Sequence, residues 1–279
     1  MYYYLQQHPQ IYMCPVKEPN FFGVAEYLAE RRVVLRYPVL QRVLGQTEEP
    51  PRWDDYVNLF QGVRDEVAVG EASVRYLELP AAAQAIRSRI PAARLIFILR
   101  DPVEWMRKRY LKTFWRDPPD LFLSRFRAAQ NPADRFAAFV AVGRYATHLQ
   151  RFYDVFPRER IRVHLYQDYQ ADGPAVVRNL LAFVGVDPEY PIDMSRRHNE
   201  TGVPRFGVVE TLRRRMLGGT PVIEWLPLAM QRLVRRLYYR PRPDFVIDPT
   251  IRAEVIEYYR EDILRTADLI GRDLSAWLR

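Results

Sequence analysis

The stretch Arg94-Leu95-Ile96-Phe97-Ile98-Leu99-Arg100-Asp101-Pro102 constrains this chain more than any other. An unbroken apolar run of this length, entering a polar turn, suits a strand buried on both faces of a parallel sheet. Asp101-Pro102 then opens a helix, with proline in the first turn, where its missing N–H does no harm. A sheet of this kind needs helices on both sides, and the rest of the chain supplies them in alternation. Ile11–Met13, Val67–Ser73 and Arg160–Leu165 read as strands. Residues 80–90, 134–155, 173–183 and 248–271 read as helices, the first with Ala83, Ile86 and Ile90 on one face. The fold class expected is α/β, a central parallel sheet with helices on both faces, built as one domain over residues 1–279.

Composition narrows the function. Apolar residues make up 48% of the 279, enough for a sizeable core. The formal net charge is +8, and of 42 basic residues only Lys17, Lys108 and Lys112 are lysines. Arginine grips phosphate through a two-pronged fork, so the balance favours anionic partners. The one cysteine, Cys14, excludes an internal disulfide and a cysteine-based zinc site. The N-terminal residues carry no basic segment followed by an apolar one, and no stretch approaches a membrane span. A soluble, cytoplasmic protein is the expectation.

Spacing alone marks three places. Arg100 stands at the C-terminal end of its strand, where open α/β sheets bind ligands. With the helix N-terminus behind it, Arg100 can hold a phosphate; pairing with Asp101 or Glu104 is the plainer alternative. Lys17 and Glu18 precede two phenylalanines in a loop. Glu71 and Ser73 follow a strand end.

LIFILRDPVEWMRKRY (95–110) resembles the 3′-phosphate-binding stretch of sulfotransferases that use 3′-phosphoadenosine-5′-phosphosulfate (PAPS). Arg100 matches the family arginine, and Lys108 stands where the family has serine. HPQIYMCPVKEPNFFG (8–23) is similar to the segment carrying the acidic general base of the bacterial and heparan-sulfate-modifying branch. The resemblance makes Glu18 the base and Lys17 the cation that neutralises the transferring group. VAVGEASVRYL (67–77) resembles the strand and turn lining the acceptor cleft, which makes Glu71 and Ser73 substrate-binding and Glu71 a rival base. Tyr166 falls where relatives contact the nucleotide, as an adenine-stacking ring or a core tyrosine. Arg196–Arg205 is similar to the late loop that closes over the nucleotide, with Arg205 its foremost cation.

The resemblance implies a sulfotransferase domain of the phosphate-loop nucleotidase type, with PAPS as donor and no metal. The acceptor would be a hydroxyl or amine, carbohydrate or lipid-linked. The family's first strand and its glycine-, lysine- and threonine-bearing loop would precede YYYLQQHPQI, so an N-terminally truncated sheet without its first strand and phosphosulfate loop is expected. Two other readings stay open. One is a non-catalytic relative that binds nucleotide or anionic glycan. The other is a binder of anionic membrane or nucleic acid through basic residues 210–242, with membrane contact the case weighed and nucleic acid not expected as a partner of the enzyme.

Overall fold

A computed structural model describes residues 1–23, 52–113, 118–131, 134, 137–195 and 246–279, with isolated residues between 203 and 240. The loop 196–202, Arg205 and nearly all of the basic segment 210–242 lie outside the described residues.

The chain opens with a short helix α1 (Tyr2–Leu5) and strand β1 (Ile11–Met13). Helix α2 (Trp53–Asn58), strand β2 (Ala68–Gly70) and helix α3 (Ala82–Arg89) follow. The apolar run becomes β3 (Leu95–Leu99) and feeds α4 (Pro102–Thr113). Helices α5 (Phe122–Ala129), α6 (Ala137–Ala141) and α7 (Tyr145–Tyr153) lead to strand β4 (Ile161–Leu165). Helices α8 (Tyr166–Ala171), α9 (Gly173–Val184) and α10 (Pro249–Ile270) complete the order.

All four of these strands pair in parallel, as expected, but not in one continuous sheet. β1 pairs with β2, Met13 opposite Gly70, and β3 pairs with β4, Leu99 opposite Leu165. Among the described residues no ladder joins the two pairs; a two-residue antiparallel contact, Val203–Pro204 with Tyr239–Arg240, stands apart. The pairs meet through side chains instead. Leu95, Phe97 and Val163 pack against a cluster that holds Cys14, Val16, Tyr56 and Leu79. The apolar run is less covered than its composition predicts, and unevenly by face: Leu99 is 1% exposed, whereas Ile98, on the opposite face, is 37% exposed. A strand lacking a hydrogen-bonded neighbour on one side also lacks the side chains that such a neighbour brings.

Further along the same face of β3 and β4, Phe97, Leu99, Val163 and Leu165 pack on α4, α5, α7 and α10 around Val103, Tyr110, Phe126, Leu149, Tyr259 and Trp277. A third cluster joins α1 and β1 to α9.

The helix expected over 134–155 breaks into α6 and α7. A side chain on Gly143 would meet the Tyr259 ring at 2.8 Å, so this close approach to α10 needs glycine. The Tyr259 hydroxyl donates to the Val140 carbonyl at 2.7 Å. The buried Asp262 carboxylate then starts α7, accepting the N–H groups of Ala146 (2.9 Å) and Thr147 (3.3 Å). An N-cap usually comes from the preceding residue; here it is delivered from α10.

Candidate active site

In parallel sheets the C-terminal ends of the strands face the ligand. Both pairs place sequence-predicted residues at that end. Lys17, Glu18, Glu71 and Ser73 follow β1 and β2. Arg100 and Tyr166 follow β3 and β4.

At the first end, Ala72 accepts the Glu18 N–H at 3.1 Å, which lays the 17–22 loop along the 71–76 segment. Glu18 (φ 57°) and Asn20 (φ 51°) have left-handed backbones, the only non-glycine residues to do so among those described. Left-handed conformations of such residues cost roughly 1–3 kcal/mol each, although asparagine tolerates them better. They persist where the surroundings over-determine them, and they gather at active sites. Lys17 lies over the Tyr3 ring at 5.0 Å, a cation–π contact that holds the ammonium beside the loop. Phe21 stacks on Tyr56 at 4.7 Å, and Phe22 meets Trp53, Tyr56 and Tyr76.

Beneath the loop sits Glu71. Its carboxylate accepts from the hydroxyls of Ser73 (2.6 Å), Tyr76 (2.6 Å) and Tyr56 (3.4 Å). Desolvation pushes its pKa up, and the nearby charge of Glu18 adds to this; the three hydroxyls pull it back without cancelling the rise. Among the described residues no arginine or lysine pairs with it. Both oxygens of Glu71 are thus engaged by the protein itself. Cys14 lies close by, fully buried, and burial raises its thiol to about 11. It is a core side chain rather than a nucleophile.

The second end is built from cations. The Arg100 guanidinium lies over the Tyr166 ring at 4.8 Å, which brings two predicted nucleotide residues together. It also approaches Glu104 at 3.7 Å, so the pairing with Glu104 is present as well. Glu104 takes Arg107 at 2.8 Å and Arg252 at 3.8 Å. Burial pushes the Glu104 carboxyl up, but the Arg107 hydrogen bond and the charges of Arg107, Arg100 and Arg252 hold it below the usual range. The helix N-terminus expected to face phosphate is capped by Asp101, whose Oδ1 accepts from Val103 (2.8 Å) and Glu104 (3.3 Å). Arg252 clasps the other oxygen at 3.0 Å. At this helix, then, arginines rather than free N–H groups are available to an anion. Lys108 is half-buried in the second turn of α4.

Three residues of this geometry escaped the sequence reading in these roles. Tyr56 and Tyr76 are the hydroxyl partners of Glu71, and Arg252 reaches Asp101 from 151 residues away. Trp53, Tyr56, Val57 and Phe60 recur at helical spacing, so the sequence marks Tyr56 as one residue of a packing stripe and not as a polar partner.

No protein-family model matches the chain. No curated protein matches it either. Among solved structures it is similar to the crystal structure of a sulfotransferase from Alicyclobacillus acidocaldarius. The two are 28% identical with a TM-score of 0.69, over 99% of this chain and 92% of that one. The likeness supports the sulfotransferase family and an α/β transferase architecture.

Proposed function

We propose that this protein is a sulfotransferase that moves a sulfuryl group from PAPS to a hydroxyl or amine, carbohydrate or lipid-linked. The observation that carries sulfuryl transfer is the match to a solved sulfotransferase along 99% of the chain. PAPS and the acceptor class rest on the residue patterns around Glu18 and Arg100.

In this reading the nucleotide lies across the C-terminal ends of β3 and β4. Arg100 and Lys108 hold its 3′-phosphate, with Arg205 added from the late loop, and adenine takes the face of Tyr166 opposite Arg100. The acceptor enters over β1 and β2. Glu18 takes the acceptor proton as the acceptor atom bonds to sulfur and the bond from sulfur to the 5′-phosphate oxygen breaks. Adenosine 3′,5′-bisphosphate leaves. Lys17 offsets charge on the transferring group, the kind of stabilisation that dominates such transfers. The same proposal gives the sheet one more strand, carrying a phosphosulfate loop; among the described residues no ladder joins the two parallel pairs, which suits it.

Isothermal titration of adenosine 3′,5′-bisphosphate tests it. We expect the wild-type chain to bind and Arg100→Ala to bind roughly 10- to 100-fold more weakly, the loss of a charged hydrogen-bonded contact. A folded wild type that binds none would remove the donor site and bring forward the reading of a relative without transferase activity.

A further inference from the structure

We infer that Glu71 is a positioning residue, which acts through the hydroxyls of Ser73 and Tyr76 to hold the loop that presents Glu18. The inference deepens the proposed function, since it rests on Glu18 being the base. It assigns Glu71 and Ser73 a task other than contact with the acceptor.

Backbone donors decide the matter. Between residues 18 and 21, Pro19 has no N–H. The other three N–H groups all end on one short segment: Glu18 on the Ala72 carbonyl (3.1 Å), Asn20 on Ser73 Oγ (3.0 Å) and Phe21 on the Tyr76 hydroxyl (2.9 Å). The Phe22 N–H shares that hydroxyl at 3.4 Å. Two of these three acceptors are hydroxyl oxygens. A hydroxyl has one hydrogen and can turn it either way. Here both hydrogens are committed to Glu71, at 2.6 Å each, which leaves the oxygen lone pairs for the loop. Short bonds to a carboxylate are about twice as strong as neutral ones. Glu71 therefore sets the polarity of two hydroxyls, and the hydroxyls set the loop.

The loop needs such a strap. The two left-handed residues, Glu18 and Asn20, flank Pro19. The Asn20 amide adds a clasp within the loop, donating to the Glu18 carbonyl at 2.8 Å. Phe21 and Phe22 supply the apolar half by packing on Tyr56 and Tyr76, themselves partners of Glu71. Tyr76 thus serves the loop by ring and by hydroxyl, and Tyr56 by its ring. The opposing cost is the repulsion between the charges of Glu18 and Glu71. Five hydrogen bonds and the ring stack offset it.

Amide hydrogen exchange read by NMR is the test, on the full chain and on Ser73→Ala, Ser73→Thr, Tyr76→Phe and Glu71→Gln. Exchange at Asn20 should quicken at least tenfold in Ser73→Ala, and at Phe21 and Phe22 in Tyr76→Phe. Glu71→Gln should quicken both sites severalfold, and Ser73→Thr should restore protection. Amides of β3 and β4 report whether the core is intact and should not change. Unchanged exchange at Asn20 and Phe21 in Glu71→Gln would overturn the inference. So would a loss of protection spread evenly over a still-folded chain. Turnover of PAPS with desulfated polysaccharide separates the two claims. A fall in kcat with KM for PAPS held ties the strap to Glu18, and an unchanged kcat over a loosened loop refutes the positioning role. Absence of turnover in the wild type would leave the proposed activity unsupported for this chain, while the exchange result still decides the strap.

Discussion

The two strand ends that build this site hold their carboxylates in opposite ways. Glu71, past β2, is enclosed by three hydroxyls, and no cation pairs with it among the described residues. Glu104, in the first turn past β3, is gripped by Arg107 and approached by Arg100 and Arg252. Each lies past the C-terminal end of a parallel strand, so that placement alone does not determine their chemistry. The difference lies in what the flanking segments bring. A serine and two tyrosines give directional bonds at one end, and three helix-borne or strand-end arginines give a cationic field at the other. A bond acceptor for a proton and a holder for an anion are the two things an in-line transfer to a hydroxyl needs.

The sharpest way to break this contrast is to substitute each end and ask whether it affects only its own half of the reaction. Glu18→Gln keeps shape and removes the carboxylate proposed as proton acceptor. We expect kcat to fall roughly 100- to 10,000-fold, the usual worth of a general base, with adenosine 3′,5′-bisphosphate binding unchanged. A variant that turns over normally would move the base elsewhere. Calorimetry and a turnover assay with PAPS measure both quantities.

Glu104→Gln probes the other end with a smaller effect and an informative sign. Glu104 competes with any bound phosphate for Arg100. Neutralising it should tighten adenosine 3′,5′-bisphosphate by about three- to tenfold, since an interaction of this partly exposed kind is worth on the order of 1 kcal/mol. Weaker binding would mean that Glu104 holds Arg100 in place rather than drawing it away.

Much of this contrast was legible in the sequence, and the limits were physical. Arg100 and Tyr166 were readable because each directly follows a periodic apolar strand, and equal registers of β3 and β4 then place them side by side. Glu18 was readable through its neighbours, KEPNFF, whose phenylalanines do pack. The hydroxyl ring around Glu71 was not, because Tyr56 and Tyr76 bear no polar spacing; one sits on an apolar helical stripe, the other in a one-turn segment. Arg252 and Asp262 act across 151 and 116 residues, beyond any local pattern. The expected sheet without its first strand is present, among the described residues, as two parallel pairs with no ladder between them. The strands β1 and β2 are three residues each, too short for their pattern to say which strand lies next to which.

The smallest expected effect is also the one in which the two ends differ in sign. Glu71 binds its proton more tightly in the folded chain than in the unfolded one. The stability it contributes is therefore complete below the ordinary carboxylate range and is lost as pH rises through its raised folded value. The groups that face it are Glu18, Cys14, Tyr56, Ser73 and Tyr76, and none of them supplies a positive charge. Glu104 is the reverse: its contribution is present above the ordinary range and is lost as pH falls through its lowered folded value. Melting temperatures taken across the acidic to neutral range should thus respond oppositely to the two glutamines. Glu71→Gln should remove a decline of stability with rising pH, and Glu104→Gln should remove a decline with falling pH. If both substitutions flatten the same limb of the curve, then Glu71 is solvated or paired like Glu104, and the contrast between a hydroxyl-held and an arginine-held carboxylate fails at its electrostatic root.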